Sequence, residues 1–469
     1  MNNASSAAAH RVRITGVVVF GAFLALLNQT VMSPALPVIM ADFAIDASTA
    51  QWIMSIYPLV SGIMVPVSAF LIDRFTTRQL FFAATGAFAA GTALCAAAPT
   101  FFLLICGRVL QAAASGVLLP LVSVVPMLVF PVEKRGTAMG MAGIVMSAGP
   151  AIGPVVGGAI IDAYGWRACL GCIVPLALAS LACAVFLLDN VGEGKRPHLD
   201  VPSIALSTVA FGGMLYGFSS ASSMGWTSPV VLGCIIAGVA CLALFARRQL
   251  RLEDPLLDLR CLKSSDFAVA AIVVTLINAA CLVTNTILPI LLQTAMGATA
   301  LQTGMAMLPA AAVGILISPI SGVVFDKFGP RVIAIVGLTG LTASLAALSF
   351  VDDKTTVAYL VAFYVIQSSG LTLANMPVTT WGINALPNDM IAHGNAISNT
   401  GRQVGGAVST ALIVTVMTMV TAANAEAGPV ASTAAGIDVA YGISAAVAAI
   451  ALIVAVLKVH NTKKRAVAT

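Results

Sequence analysis

The sequence predicts an all-α polytopic membrane protein, and composition, run length and the placement of basic residues each predict it separately. The 469 residues are 59% hydrophobic and 9% charged, with a mean hydropathy of +1.01. Soluble chains carry about 25% charged residues, so this one lacks the polar surface that water requires. Apolar runs recur along the whole length, many long enough to cross a hydrocarbon core about 30 Å thick at about 1.5 Å per helical residue. They are too long for barrel strands. In lipid the backbone must satisfy its own hydrogen bonds, which leaves helices as the spans.

Polar, Pro and Gly breaks divide the chain into fourteen segments. The first, 14–36, follows Arg11 and Arg13. Its length, the lack of a small-residue cleavage site and the spans behind it make it a helix rather than a signal peptide. Segments 50–72 and 79–98 flank a charged turn with Asp73, Arg74 and Arg78, and 101–125 ends before Glu133, Lys134 and Arg135. Then come 137–160, 167–188, 202–220 and 228–249, the last running into Arg247 and Arg248. Segments 267–290, 301–325 and 332–350 follow, with Asp326, Lys327 and Arg331 in the turn between the last two. Segments 357–382, 397–420 and 437–458 complete the set.

Lys and Arg gather in cytoplasmic loops. Of the 23 here, all but four lie at the N-terminus, after an even-numbered segment, or in the C-terminal tail. The exceptions are Arg167 and Lys354 on the other side, and Arg108 and Arg402 within segments. The net charge of +5 is therefore topological rather than a sign of nucleic-acid binding, and both termini are expected in the cytoplasm. The nine Cys lie mostly in apolar runs and read as small reduced hydrophobes. CLGC at Cys169–Cys172 has redox spacing but lies in a membrane helix. His10, His198, His393 and His460 are dispersed, with no metal spacing and no nucleophile arrangement. No metal, no cofactor and no enzyme activity are expected; a lipid-modifying membrane enzyme would need clustered acids, His or Cys at a membrane face.

AFLIDRFTTRQL (69–80) and GVVFDKFGPRVI (322–333) share an acid–base–Phe core with a following Arg. Asp73 aligns with Asp326, Arg74 with Lys327, Phe75 with Phe328 and Arg78 with Arg331. Internal repeats related by an axis along the membrane normal are a transporter architecture. The repeats are farther apart than two six-helix halves require, and the surplus fits two inserted helices. The expected organisation is a cytoplasmic N-terminus (1–13), a six-helix bundle (14–188), a linker with two extra helices (189–266), a second six-helix bundle (267–458) and a cytoplasmic tail (459–469).

With these residues in view the chain resembles the major facilitator superfamily, in its fourteen-span drug:proton antiporter family, and within it the lincomycin-efflux branch. AFLIDRFTTR keeps Leu71, Asp73, Arg74 and Arg78 of the loop motif after the second helix, with Ala69, Thr76 and Thr77 departing from it. CGRVLQAAASG keeps Arg108, Gln111 and Gly116 of the fourth-helix motif, and GPAIGPVVGG (149–158) matches the antiporter motif of the fifth. The resemblance implies alternating access between two bundles, protons as the coupling ion, a drug-like small molecule as substrate, and a multi-pass monomer in a bacterial inner membrane. It also implies that the Gly149, Pro150, Gly153, Pro154, Gly157 and Gly158 stripe is gating structure. Small faces of this kind let helix backbones approach closely. Many relatives carry Asp where this chain has Asn28, which cannot titrate.

Helix depth groups the intramembrane polar residues. Asn28 is about 21 Å up the first helix, while Tyr57 and Arg108 are each roughly 10 Å in from the outer ends of the second and fourth. A buried guanidinium needs acceptors, so a cluster of Asn28, Tyr57 and Arg108 is expected, beside Gln29 or Gln111, lining the outer part of a substrate cavity. Gln111, Asn278 and Gln367 near the midplane, with Met54, Met146 and Trp381, would add an adaptable lining. Asp73, Arg74, Arg78, Asp326, Lys327 and Arg331 are expected to form a cytoplasmic latch, favoured by carboxylates facing helix N-termini. Arg402, about five residues into its segment, lies within snorkelling range. The function expected is efflux of amphipathic small molecules; the alternative is an exporter of one endogenous metabolite or lipid-like solute.

Overall fold

The computed structural model describes residues 2–45, 47–50, 52–191, 200–253, 255–282, 284–292, 296, 300–351, 355–424, 426 and 429–461. Fourteen long helices carry the fold. They are α1 (Asn2–Phe43), α2 (Trp52–Arg74), α3 (Thr77–Ala96), α4 (Phe101–Val129), α5 (135–164), α6 (166–187), α7 (Val201–Met224) and α8 (Pro229–Gln249). Then follow α9 (Ser265–Leu282 and Thr284–Ile290), α10 (Ala300–Phe328), α11 (Pro330–Ala347), α12 (Val357–Asn384), α13 (Ile391–Ala423) and α14 (Pro429–Lys458). Among the described residues, thirteen helices are long and apolar enough to cross a membrane by length and composition alone. The remaining one is α5, the first part of a run, Arg135–Leu187, that Gly165 breaks at φ 83°. That left-handed backbone suits glycine and folds α6 back with no loop between.

Local chemistry sets the ends. Thr100 and Thr356 cap α4 and α12 by accepting from Leu103 N–H and Tyr359 N–H, at 3.4 and 3.3 Å. Pro202, Pro229 and Pro330 lie in the first turns of α7, α8 and α11, where no N–H is missed. Several boundaries differ from the sequence reading, among them the end of α1 at Phe43 rather than 36 and the start of α14 at Pro429 rather than 437. The helix containing segment 14–36 begins at Asn2, and α13 begins at Ile391 rather than near 397. The stretch Ile391–Ala396 is polar enough to resemble a loop, but His393 and Asn395 are buried, which holds it helical.

Helix ends next to the basic loops, together with both described chain ends, mark one face, termed the basic face below. Buried apolar side chains of α1 and α3–α6 form one core, and α9–α14 form another. Each bundle contains a close backbone crossing at matching places. A Cβ on Gly91 would meet the Gly107 carbonyl at 2.9 Å between α3 and α4, and one on Gly337 would meet the Gly370 carbonyl at 2.8 Å between α11 and α12. The inserted helices α7 and α8 pack on each other, and α7 also lies against α2 and α13; Trp52 of α2 stacks on Tyr216 of α7 at 5.8 Å.

On the face opposite the basic one, Asp42 ties α1 to α6. It accepts from the Trp166 indole N–H at 2.9 Å and from Arg167 at 2.5 Å. The indole bond, and then the Arg167 bond, hold its carboxyl below the usual value of 3.8. A depressed folded-state pKa gives stability that is present above the unfolded value and lost as pH falls through the folded one. The expected result is a thermal midpoint that this tie leaves flat from about pH 8 to pH 5, with its contribution lost only below about pH 4. Asp42→Asn should remove that acid limb, and a midpoint series against pH for both proteins checks it.

Candidate functional site

Arg108 lies two turns into α4 with no exposed surface. An unsatisfied cation there would be costly, and three helices supply its acceptors. Nε donates to the Ile53 carbonyl of α2 at 3.3 Å, while Nη1 donates to the Asn28 carbonyl of α1 at 3.5 Å and to Gln111 Oε1 at 3.1 Å. The guanidinium carbon stands 4.5 Å from the Tyr57 ring centroid, a cation–π contact. Gln111 Nε2 donates to Thr92 Oγ1 of α3 at 3.0 Å. The Tyr57 hydroxyl donates to the Ala25 carbonyl at 3.1 Å and meets Ser115 Oγ.

The structure thus brings Asn28, Tyr57, Arg108 and Gln111 together, in roles the sequence did not reveal. Asn28 offers its backbone oxygen and Tyr57 its ring face. The cluster is enclosed among α1–α4, with all four side chains at most 1% exposed, so it does not line a cavity. The Asn28 carboxamide and Arg108 Nη2 are enclosed without a protein partner, and this is where the cluster keeps unused polar capacity. Gln29 and Met54 are partly exposed and outside it. Thr92, Ser115 and the Ile53 carbonyl could not have been found from sequence, because hydroxyls and carbonyls are everywhere and only the helix crossing selects these.

The two bundles meet in the basic half. There α4 and α5 contribute Val124, Met127 and Met139 to one apolar core with Phe267, Ile383 and Ile391. Val65, Ala69 and Phe70 of α2 share another with Phe245, Leu257 and Ala396. Glycines permit the close crossing of α5 and α10: Cβ atoms on Gly140 and Gly136 would meet the carbonyls of Ser318 and Gly322 at 2.7 and 2.8 Å. Among the described residues, the buried core in the other half of α1–α6 contains only side chains of that bundle.

Each repeat's carboxylate reaches the first turn of a helix in the opposite bundle. Asp326, ending α10, accepts from Gly136 N–H at 2.9 Å, Thr137 N–H at 2.7 Å and the Thr137 hydroxyl at 2.5 Å, capping α5. Free N–H groups and the positive end of the dipole favour a carboxylate there. Asp73, ending α2, lies 3.1 Å from His393 Nε2 in the first turn of α13. His393 Nδ1 accepts from the Asp258 N–H at 3.2 Å, so the hydrogen-bond network assigns the ring proton to Nε2, which donates to Asp73. Arg135 adds two bonds, to Asn384 at 3.1 Å and Asn388 at 3.2 Å. The basic members of the repeat behave differently. Arg78 donates to the Val185 carbonyl at 2.9 Å within its own bundle, Lys327 and Arg331 are exposed, and Arg74 lies 6.0 Å from the Phe75 ring. His393 was passed over in sequence as one of four scattered histidines.

The turns of the two repeats are built differently. Gly329 stands at φ 81° before α11, whereas Thr76 caps α3 in a capping box with Gln79. That accounts for Thr76 where the resembled motif has Gly.

The glycine stripe of α5 faces α1. A Cβ on Gly149 would meet Leu26 Cβ at 2.8 Å, one on Gly153 would strike Thr30 Oγ1, and one on Gly157 would meet the Val31 carbonyl at 3.1 Å. Gly158 is looser, 4.0 Å from Pro34. The side chains of Pro150, Pro154 and Met146 lie outside the described residues. Thr30 Oγ1 stands 3.1 Å from the Leu27 carbonyl of its own helix and 3.5 Å from the Gly149 carbonyl of α5, so the Asn28–Thr30 triplet meets α4 through Asn28 and α5 through Thr30. Asn278 bonds within its own helix, to the Val274 carbonyl at 2.8 Å, and Gln367 donates to Thr284 at 2.8 Å inside the second bundle. Trp381 is buried near the basic end of α12, its ring 5.6 Å from that of His460, and so stands in a bundle core rather than in a cavity lining.

Residues 18–410 match the Major Facilitator Superfamily. The MFS-type transporter YcnB of Bacillus subtilis is 44% identical over 404 residues, 86% of each chain. The lincomycin resistance protein LmrB of Listeria monocytogenes is 36% identical over 438 residues, 92% of this chain and 93% of its own. Among solved structures, the human organic anion transporter MFSD10 superposes with a TM-score of 0.70 at 13% identity, covering 95% of this chain and 99% of its own, which shows the common fold. The matched length, the identities and the helical architecture agree: this chain is a multi-pass membrane protein that belongs to the Major Facilitator Superfamily.

Proposed function

We propose that the protein exports amphipathic small molecules across a bacterial inner membrane by alternating access, as a monomer, with the basic face in the cytoplasm. The orientation rests on the positive-inside distribution of Lys and Arg, and the substrate class on the likeness to the lincomycin resistance protein LmrB. One observation carries the mechanism: the two bundles share buried apolar cores and carboxylate caps in the basic half, while the buried core of the other half of α1–α6 stays within that bundle. Such an arrangement suits a cleft closed towards the cytoplasm that opens by rigid rotation of one bundle against the other. The gating stripe of α5 then serves as a close-packed seam against α1, keeping that half of the bundle stiff as it rotates.

Protons are the proposed driving ion, as the resemblance to the drug:proton antiporter family implies. Asp73, His393 and Asp326 each have partners across the boundary, and opening the basic face would return them to water. Proteoliposomes with an imposed pH gradient test the driving ion: accumulation of lincomycin should follow the gradient and collapse with a protonophore. Flux indifferent to the gradient excludes proton antiport, and no flux of any amphipathic drug excludes the export reading.

A further inference from the structure

Arg402 is an intramembrane charge that neither the α4 cluster nor the basic-face contacts employ. Because α13 starts at Ile391, Arg402 stands about 16 Å along the helix, about three turns in rather than about five residues in as the predicted segment implied. It shares a helix face with Asn395 and Asn399, seven and three positions earlier. Asn395 Nδ2 donates across the bundle boundary to the Pro120 carbonyl of α4 at 3.4 Å, so this face looks toward the other bundle. The neighbouring Gln403 reaches towards Gly62 of α2, its Nε2 3.8 Å from where a Cβ would stand, while Gly401 and Gly405 turn onto Thr275 of α9 in their own bundle. Arg402 itself is partly exposed, unlike Arg108.

The two intramembrane arginines differ in what they are given. Arg108 has three oxygens from three helices and an aromatic face. Arg402 has five N–H donors, and among the described residues its hydrogen-bond partner is the neutral Asn399 Oδ1 of its own helix. No described carboxylate forms an ion pair with it. Asn399 and Gln403 beside it on α13 are amides, and the described acids other than Asp438, which accepts from the Val351 N–H, lie near helix ends or in loops. The cleft therefore offers a fixed charge of one sign, and that charge is a planar fork suited to two parallel hydrogen bonds.

We propose that Arg402 is the counter-charge for a carboxylate, or a similar planar anionic group, on the transported molecule. The assignment rests on the export reading above. When substrate is absent Asn399 occupies one prong; a bound carboxylate takes both and satisfies a cation that the membrane interior otherwise disfavours.

Dansylglycine and dansylglycinamide form a matched fluorescent pair, one a carboxylate and one uncharged at neutral pH. Their fluxes in proteoliposomes are compared for wild type, Arg402→Gln and Arg402→Lys, with unfolding midpoints recorded for each. Wild type should favour the carboxylate. Arg402→Gln should lower the carboxylate-to-amide flux ratio about tenfold or more, as loss of a charge-assisted bidentate pair implies. Arg402→Lys, a point charge without the fork, should lower it by a smaller factor. An unchanged ratio in either folded variant overturns the proposal, and so does a wild type that moves the amide but not the carboxylate. A wild type that moves neither dye and no other amphipathic drug removes the export reading, and this one with it.

Discussion

Arg108→Ala should abolish transport and lower the folding stability by about 3–5 kcal/mol, the range for removing one partner of a buried charged network. The substitution leaves the Ile53 and Asn28 carbonyls and Gln111 Oε1 without their donor in a site closed to water. Each hydrogen bond to a charged group contributes about 1.5–3 kcal/mol, and the Tyr57 contact adds about 1–2 kcal/mol in a desolvated site. Relief from burying the guanidinium offsets part of that sum, which is why the net falls well short of it. Arg108→Lys should rescue little. An ammonium has no flat face for Tyr57 and cannot span acceptors on α1, α2 and α4 at once. Detergent unfolding curves and vesicle flux on both variants check the pair of claims; wild-type flux in the Ala variant would show that the cluster is packing only. The link from stability to transport is geometric. This network fastens α1, α2 and α4 into one body, and rigid rotation requires that the body not shear internally.

The fold was legible in the sequence to a large extent because lipid leaves few alternatives. Run length, the Lys/Arg asymmetry and the Asp73/Asp326 repeat lead to fourteen helices in two bundles with a pair inserted, and α7 and α8 lie at Val201–Met224 and Pro229–Gln249 against predicted 202–220 and 228–249. Depth counting placed Asn28, Tyr57 and Arg108 in one layer, because rise per residue is fixed in a helix. It could not say which side of each helix faces which neighbour. That is why the cluster was expected along a cavity and stands inside a bundle, and why Trp381 was assigned to the lining. Azimuth depends on helix crossings such as Gly91 on Gly107, which a one-dimensional reading does not contain. Polarity misled the reading at Ile391–Ala396: side chains that serve a helix interface look like a loop when the partner helix is unknown. His393 was missed for the same reason, since its meaning comes from Asp73, more than three hundred positions away in the chain.

Asp326→Ala should shift the protein out of the state with a closed basic face by roughly a hundredfold or more. The carboxylate accepts two backbone N–H bonds and a hydroxyl at the start of α5, and it does so from the opposite bundle, whereas Glu133 beside that helix end belongs to the bundle of α5 itself. Losing about 3 kcal/mol of differential interaction changes a two-state ratio by about two orders of magnitude. Asp73→Asn, which weakens a single bond to His393, should shift it by only about tenfold. Spin labels at the exposed positions 133 and 331, in a background with Cys172 and Cys183 replaced by Ser, read the opening directly as a longer distance across the basic face. Gly322→Val provides an independent route to the same end state. A side chain there would strike the Gly136 carbonyl, and backbone cannot yield as a flexible side chain can. If both variants lengthen the distance and slow flux, closure of this face is a required step of the cycle. If Asp326→Ala leaves the distances unchanged, the carboxylate caps α5 without holding the bundles together, and the seal must reside in the apolar cores around Val124 and Val65.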